Sequence, residues 1–336
     1  MAQYLARRVL SMLAVLFVVS VLTFFIMHAI PGGPFDREKP LPQRTIDQLN
    51  AKYRLDEPLV MQYLYYIGDI VVPRITERKL PNSATEDYLV NINIPGTDST
   101  LRLMNFGPTY RSRGRSVNSV IEQTLPVSMQ LGIASMLVAI AIGIPAGIIA
   151  ALKRNTFLDY ASMGVAIVGV SVPVIISGPL LRYLFGVQLQ WLPPTGWGGL
   201  EYMIMPAFAL GFAQSALLAR LTRASLLQVL NEDYIRTARA KGLSERIVIL
   251  LHAMKNSMIP VVTVLGPLFA FLVTGSFVAE LIFGIPGLGG YFVTSITNRD
   301  YPVIMGTTLL FASIIVIANL FVDIVYVWLD PRIKYS

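Results

Sequence analysis

Residues 231–260 read NEDYIRTARAKGLSERIVILLHAMKNSMIP, the one long polar, basic interruption in an otherwise apolar second half. Asn231 is a residue type that caps helix N-termini, and Glu232 and Asp233 follow in the first turn, where the helix dipole favours anions. Ala238 and Ala240 leave one side of that helix low. Gly242 supplies a left-handed stop, because a residue without Cβ takes φ > 0 freely. The spacing predicts a helix of roughly ten residues, about 15 Å long at ~1.5 Å per residue. Ser244 then restarts a second helix that runs toward Asn256. A short helix with a small-residue face, ended by glycine between two apolar stretches, has the shape of a knob for a partner's groove. A solvated loop is the plainer reading of the same residues.

Outward from that stretch the chain is unusually apolar. Of its 336 residues 54% are hydrophobic and 14% charged, with a mean hydropathy of +0.60. A soluble domain carries about 25% charge. Several runs exceed the ~18 apolar residues that mark a membrane-crossing helix, so the chain is a multi-span membrane protein. The absence of cysteine excludes a disulfide framework and thiol chemistry. A net charge of +7 is compatible with nucleic acid, but the basic residues cluster at the ends of apolar runs and in short loops, which reads as topology.

Six spans are expected, at residues 9–30, 127–152, 160–185, 203–221, 261–283 and 303–329. The first follows Arg7 and Arg8 and is too long for the apolar core of a signal peptide. It leaves through His28, Pro31, Gly32 and Gly33 with no small-x-small cleavage site, so it reads as a retained span. Gly143, Ala146, Gly147 and Ala150 fall on one face of the second span and permit close helix packing. Pro173 and Pro179 in the third span and Gly266-Pro267 in the fifth permit kinks beside a cavity, although such residues are also common in membrane helices generally. Trp191 and Trp197, in a short loop without Lys or Arg, suit an external interface. Arg7, Arg8, Lys153, Arg154, Arg220, Arg223, the five basic residues of 231–260, Arg332 and Lys334 all fall on one side. The two short loops opposite hold only Arg299. That asymmetry implies both termini in the cytoplasm.

Residues 34–119 are too polar to span, with twelve basic and ten acidic residues. Helices are expected over 46–53, capped by Thr45, and over 59–72 behind Pro58. Residues 88–94 alternate like a strand, Pro95-Gly96-Thr97-Asp98 punctuates, and 101–106 can pair back as a hairpin. The resulting organisation is a first span over 1–30, an external domain over 31–119, a core of spans two to six over 120–329 and a cytoplasmic tail over 330–336.

No catalytic constellation is visible, and the chain does not read as an enzyme. His28 and His252 are predicted on opposite sides of the membrane and cannot share a metal. No G-x-x-x-x-G-K-[ST] run is present, so no phosphate-cradling loop is encoded. Active transport would draw its energy from a partner ATPase or from an ion gradient. A gradient-coupled carrier needs ionisable groups at membrane depth, and the candidates are Arg182, Glu280 and Asp323. All three fall near span ends, where snorkelling or pairing is the competing account.

The run Arg236, Thr237, Ala238, Arg239, Ala240, Lys241, Gly242, Leu243 resembles the EAA loop of ABC-importer permeases, in the variant of oligopeptide and dipeptide permeases. Arg236, Thr237 and Ala238 stand where the general loop has Glu-Ala-Ala. Pro31-Gly32-Gly33-Pro34-Phe35, residues 53–59 (YRLDEPL), Gln62-Tyr63, residues 105–108 (NFGP) and 151–156 (ALKRNT) are similar to the B-type oligopeptide-permease subunit. So are Trp191-Leu192-Pro193, residues 283–289 (FGIPGLG), 298–301 (NRDY) and Asp330-Pro331-Arg332. The resemblance covers nearly the whole chain; residues 73–104 look like an addition to the family pattern. It implies an all-α integral membrane fold, six transmembrane helices of the type I ABC importer permease kind, with an external α/β insertion between spans one and two. It further implies a translocation subunit in the prokaryotic inner membrane that partners a second, unlike permease, two ATPase subunits and an external peptide-binding protein. ATP and magnesium would then bind the ATPase subunits and no cofactor this chain. Residues 236–243 would be the coupling helix that docks on the ATPase, with Ala238 and Gly242 as contacts or shape determinants. A gradient-coupled carrier and a membrane scaffold are the alternatives, the first requiring Glu280 or Asp323 as a coupling site.

Overall fold

The computed structural model describes residues 2–35, 42–77, 86–112, 114–274 and 276–329. In chain order the elements are α1 (Ala2–Ala29), α2 (Gln43–Tyr53), α3 (Leu59–Val71), β1 (Arg74–Glu77), β2 (Val90–Asn93), β3 (Ser99–Leu103), α4 (Val117–Leu152) and α5 (Phe157–Ser171). Next come α6 (Val174–Leu181), continued by a π-helical turn over Arg182–Gln188, then α7 (Leu200–Val229), α8 (Asp233–Ala240) and α9 (Glu245–Ile247). A second π-helical stretch, Val248–Ala253, leads into α10 (Met254–Ser257), followed by α11 (Ile259–Thr274), α12 (Phe277–Phe283), α13 (Leu288–Asn298) and α14 (Tyr301–Leu329). Arg332, Lys334 and the rest of the expected tail lie outside the described residues.

Among the described residues four helices are long and apolar enough to cross a membrane unbroken: α1, α4, α7 and α14. They match expected spans one, two, four and six. Spans three and five are not the continuous helices expected. The third breaks between α5 and α6, which meet at 98°. Pro173 is the cause, because its ring pushes the preceding Val172 out of the helical region, to φ −102° and ψ 105°. The fifth is divided into α11 and α12, while Pro267 is accommodated inside α11.

The chain divides into two compact units. One gathers the residues up to Arg8, Val127–Gly289 and the stretch from Ile314 onward. Its core holds Leu131, Leu218, Leu272 and Phe283, all essentially inaccessible. The glycine stripe on α4 packs as its spacing predicted. A Cβ on Gly143 would fall 2.6 Å from the Ser215 carbonyl oxygen, and one on Gly147 would fall 2.6 Å from that of Ala219. The backbones of α4 and α7 therefore touch, the close approach that small residues give membrane helices. Gly266 does the same for α11 against Ala318 of α14.

The other unit comprises Val9–Pro126 and Gly290–Ser313. Phe24, Met27, Tyr63, Tyr301 and Met305 form its core, and the hydroxyls of Ser20 and Tyr63 lie 2.8 Å apart. The helix behind Pro58 forms as expected. The one before it starts earlier than expected, at Gln43 with Pro42 at the N-cap, so Thr45 is inside the first turn and not its cap. The 88–106 hairpin forms as β2 and β3, joined by antiparallel pairing of Val90 with Leu103 and of Asn93 with Thr100. Sequence reading missed β1, which pairs on the opposite edge of β3 to give the order β1-β3-β2. Fully buried Asn118 fixes the exit from this sheet. Its amide donates to the Asp87 and Met104 carbonyls, and its oxygen accepts from the Phe106 N–H. Asp300 binds the 110–111 loop by accepting from the Tyr110 and Arg111 N–H groups; burial raises its pKa despite those donors.

Candidate functional site

The polar stretch is an elbow held beneath the ends of α4 and α7. Helix α8 has eight residues, two fewer than the estimate. Its N-cap is Glu232, not Asn231, and no side chain caps it. Asn231 instead turns back and donates its amide to the Leu227 carbonyl at 2.9 Å, tying the turn to the end of α7. At the far end the expected glycine stop is present. Gly242 has φ +78° and its N–H donates to the Arg239 carbonyl at 2.9 Å. Ser244 opens the second helix, its carbonyl accepting from the Ile247 and Val248 N–H groups.

One face of α8 is committed to the protein's own core. Ile235 and Ala238 are buried and pack with Ala151 of α4, Leu226 of α7, and Val248 and Ala253 of the π stretch. Ala238 is thus buried against the core and offers little outward surface. Residues 239–247 form an unbroken exposed run. It includes Arg239, Ala240, Lys241, Gly242 and Leu243, and Arg236 and Thr237 are exposed just before it. Around Gly242 the space is empty: an added Cβ would meet nothing within 4 Å.

Two side-chain ties set the angle of the elbow. Arg239 grips Glu245 in a fork, with N–O distances of 2.6 and 3.1 Å across the glycine turn. The Glu245 carboxylate holds the Arg239 guanidinium above its ordinary pKa. The Asn256 amide donates to the Tyr234 hydroxyl at 2.8 Å, linking the start of α8 to α10. Arg236 pairs with Asp233 at 3.4 Å on the open surface. The π stretch turns Leu250 and Leu251 outward, both about two-thirds exposed.

A further support was invisible to sequence spacing. Arg223 of α7 forms a two-pronged bond with Asp159 in the first turn of α5, both contacts 2.7 Å, and Asp159 also accepts from the Asn155 N–H. The two residues are 64 positions apart, and an acid in a first turn is ordinary by itself.

The three ionisable candidates separate. Asp323 pairs with Arg8 at 2.5 Å, joining the beginning of α1 to the end of α14. Arg182 is exposed and donates to the Ile282 carbonyl at 3.0 Å. Glu280 is almost wholly buried and accepts from the hydroxyls of Ser128 and Ser276, each at 2.7 Å. The Ser128 hydroxyl in turn accepts from the Leu288 N–H at 2.8 Å, and the Ile285 N–H reaches the Glu280 carbonyl. Glu280 is thus the hub that seats the 284–289 loop. Each of the three thus has a partner within the fold. Among the described residues no cluster of three or more His, Asp or Glu could hold a metal ion.

Residues 143–335 match the family model described as binding-protein-dependent transport system inner membrane component, and residues 1–84 match the model of the N-terminal part of such components. The chain is 42% identical over 334 residues to the dipeptide transport system permease protein DppB of Bacillus subtilis, covering 99% of this chain and 98% of that one. It is 38% identical over 337 residues to the oligopeptide transport system permease protein OppB of Salmonella typhimurium, covering 100% of both. Residues 73–104, which sequence reading took as an addition, are therefore matched in overall length by these relatives. Among solved structures, a chain of the inward-facing MetNI methionine ABC transporter superposes with a TM-score of 0.53 at 17% identity, covering 63% of this chain and 97% of that one.

Proposed function

This chain belongs to the family of binding-protein-dependent transport system inner membrane components, and from that premise we propose that it is the translocation-pathway subunit of an ATP-driven peptide importer. The all-helical membrane fold with its small α/β segment suits that role, as does the ABC-transporter permease fold of its core. The observation that carries the reading is the elbow: α8 is fixed to the ends of α4 and α7 by Ile235 and Ala238, and presents Arg236, Thr237 and the run from Arg239 to Leu243 outward.

An ATPase subunit seated on that run would push or pull on α4 and α7 through the buried face of α8. ATP and magnesium belong to two such ATPase subunits and not to this chain, which contributes no catalytic residue and no cofactor. A second, unlike permease completes the path, and an external binding protein delivers the peptide. Both termini lie in the cytoplasm of a prokaryotic cell, with the elbow on that side and the 31–119 domain outside. The Arg8–Asp323 pair supports this arrangement, since it needs the start of α1 and the end of α14 at one level.

The gradient-coupled alternative loses its support. It requires Glu280 or Asp323 as a coupling group, and these are engaged as a loop anchor and an ion-pair partner. The family is moreover one of binding-protein-dependent systems.

Gly242→Val tests the coupling role. A β-branched residue resists φ +78°, while the empty space around it removes any packing penalty. Membrane insertion is expected to be normal, with ATP hydrolysis uncoupled from peptide uptake. Full uptake per ATP in that variant would overturn the role.

A further inference from the structure

The unit made of Val9–Pro126 and Gly290–Ser313 holds a cleft of about 360 Å³ that the transport cycle described above does not use. Tyr53, Tyr65, Tyr66, Tyr110 and Tyr301 line it. At its mouth Arg54 lies over the Tyr65 ring, 4.8 Å from the centroid, and Lys52 over the Tyr53 ring at 5.3 Å. The one carboxylate among the described lining residues, Asp69, is taken up by an ion pair with Arg74. Arg54 and Lys52 therefore remain as uncompensated positive charge among the described lining residues. Deeper in, the hydroxyl of Tyr66 is buried with no hydrogen-bond partner, a costly state for a polar group that a ligand could relieve.

The mouth is built, not incidental. Arg54 adopts φ +57°, and Gln62 holds the turn after it by donating to the Leu55 and Glu57 carbonyls at 3.1 and 2.7 Å. Aromatic walls suit an apolar or aromatic body, and two cations suit an anionic end. A cationic ligand would meet two like charges and a carboxylate already paired. The volume lies at the small end of the ~300–1,000 Å³ typical of ligand pockets, which favours a few residues over a long chain.

We propose that this cleft binds the carboxylate-bearing end of a short peptide, with the terminal carboxylate at Arg54 and Lys52, a backbone polar group of the peptide at the Tyr66 hydroxyl and the last side chain against the tyrosine walls. The peptide class rests on the importer reading; the anionic, aromatic character of the ligand rests on the cleft alone.

The test uses the assembled complex in lipid nanodiscs, without the binding protein, and the probe Ala-Ala-(4-fluoro)Phe followed by fluorine NMR. Line broadening is expected with the free acid, and binding about tenfold weaker with the C-terminal amide, the loss of one charge-assisted bond. Arg54→Gln, at the exposed mouth, and Tyr66→Phe, which removes only the unpartnered hydroxyl, should each weaken the free acid severalfold. Equal binding of acid and amide would overturn the proposal, as would no binding or broadening unchanged in both variants. ATP-driven uptake by the same complex, measured with the binding protein restored, reports separately on the importer reading.

Discussion

Two glycine turns follow short helices in the same unit, and they work in opposite ways. Gly242 ends α8 at φ +78° in open space, while Gly284 ends α12 at φ +64° and leads into a loop sealed against Glu280. A Cβ on Gly287 would come within 2.6 Å of the Glu280 carboxylate, and one on Gly289 within 3.0 Å. The inner loop is fixed by the buried contacts of Ile285 and of Gly287 to Gly289, with Gly284 and Pro286 on its exposed side. The outer turn is fixed by backbone conformation and the Arg239–Glu245 fork, which leaves its surface free. A turn that only had to end a helix could have led into a packed loop, as the inner one does; this one leads into an exposed run, which fits a surface meant for another molecule.

The contrast can be broken most severely at the inner loop. Gly287→Ala overpacks a buried carboxylate, and such insertions cost about 1–3 kcal/mol. Thermal unfolding in detergent is expected to shift down accordingly. Glu280→Ala leaves the Ser128 and Ser276 hydroxyls without their acceptor, at about 1–3 kcal/mol per buried group left unsatisfied. Combining the two should sharpen the comparison: Gly287→Ala should be less damaging in the Glu280→Ala background, because the clash is gone, and strict additivity would mean the contact is not the cause.

The outer turn should respond differently. Gly242→Val costs roughly 1–2 kcal/mol of backbone strain, so melting moves less while the ratio of uptake to ATP hydrolysis collapses. Gly242→Asn should keep most coupling, since asparagine tolerates the left-handed region. The smallest effect is expected for Glu245→Gln, which loosens an exposed fork of the kind typically worth ~0–1 kcal/mol. Its trace should be a modest loss of coupling and almost no change in melting.

Much of this architecture is legible in the sequence because membrane chains must advertise it. Long apolar runs have no other use, and Gly143, Ala146, Gly147 and Ala150 declare a packing face by spacing alone. Gly242 and Ser244 announce the elbow. What stays hidden depends on tertiary partners. Asn231 looks like a cap, which would accept through its side-chain oxygen, yet its amide turns back and donates to the Leu227 carbonyl. Asp159 and Arg223 carry no mutual signal until α5 and α7 lie side by side. Glu280 reads as a span-end acid, and only the fold brings up the Ser128 hydroxyl that, with Ser276, makes its burial tolerable. Pro173 was visible, but the size of the bend follows from packing that a propensity argument does not contain. β1 pairs with β3 across an intervening strand in the chain, so no adjacent turn announces it as one announces β2 and β3.

The central claim is that the exposed run from Arg239 to Leu243 seats an ATPase subunit. The chain has no cysteine, so Lys241→Cys introduces its single thiol. A short thiol-to-amine cross-linker applied to the assembled complex is predicted to join that position to the ATPase subunit, while Trp191→Cys, also exposed but in the 189–199 loop, yields no such product. A thiol at position 241 that labels readily with a maleimide in the intact complex, yet never cross-links to an ATPase, would contradict the account.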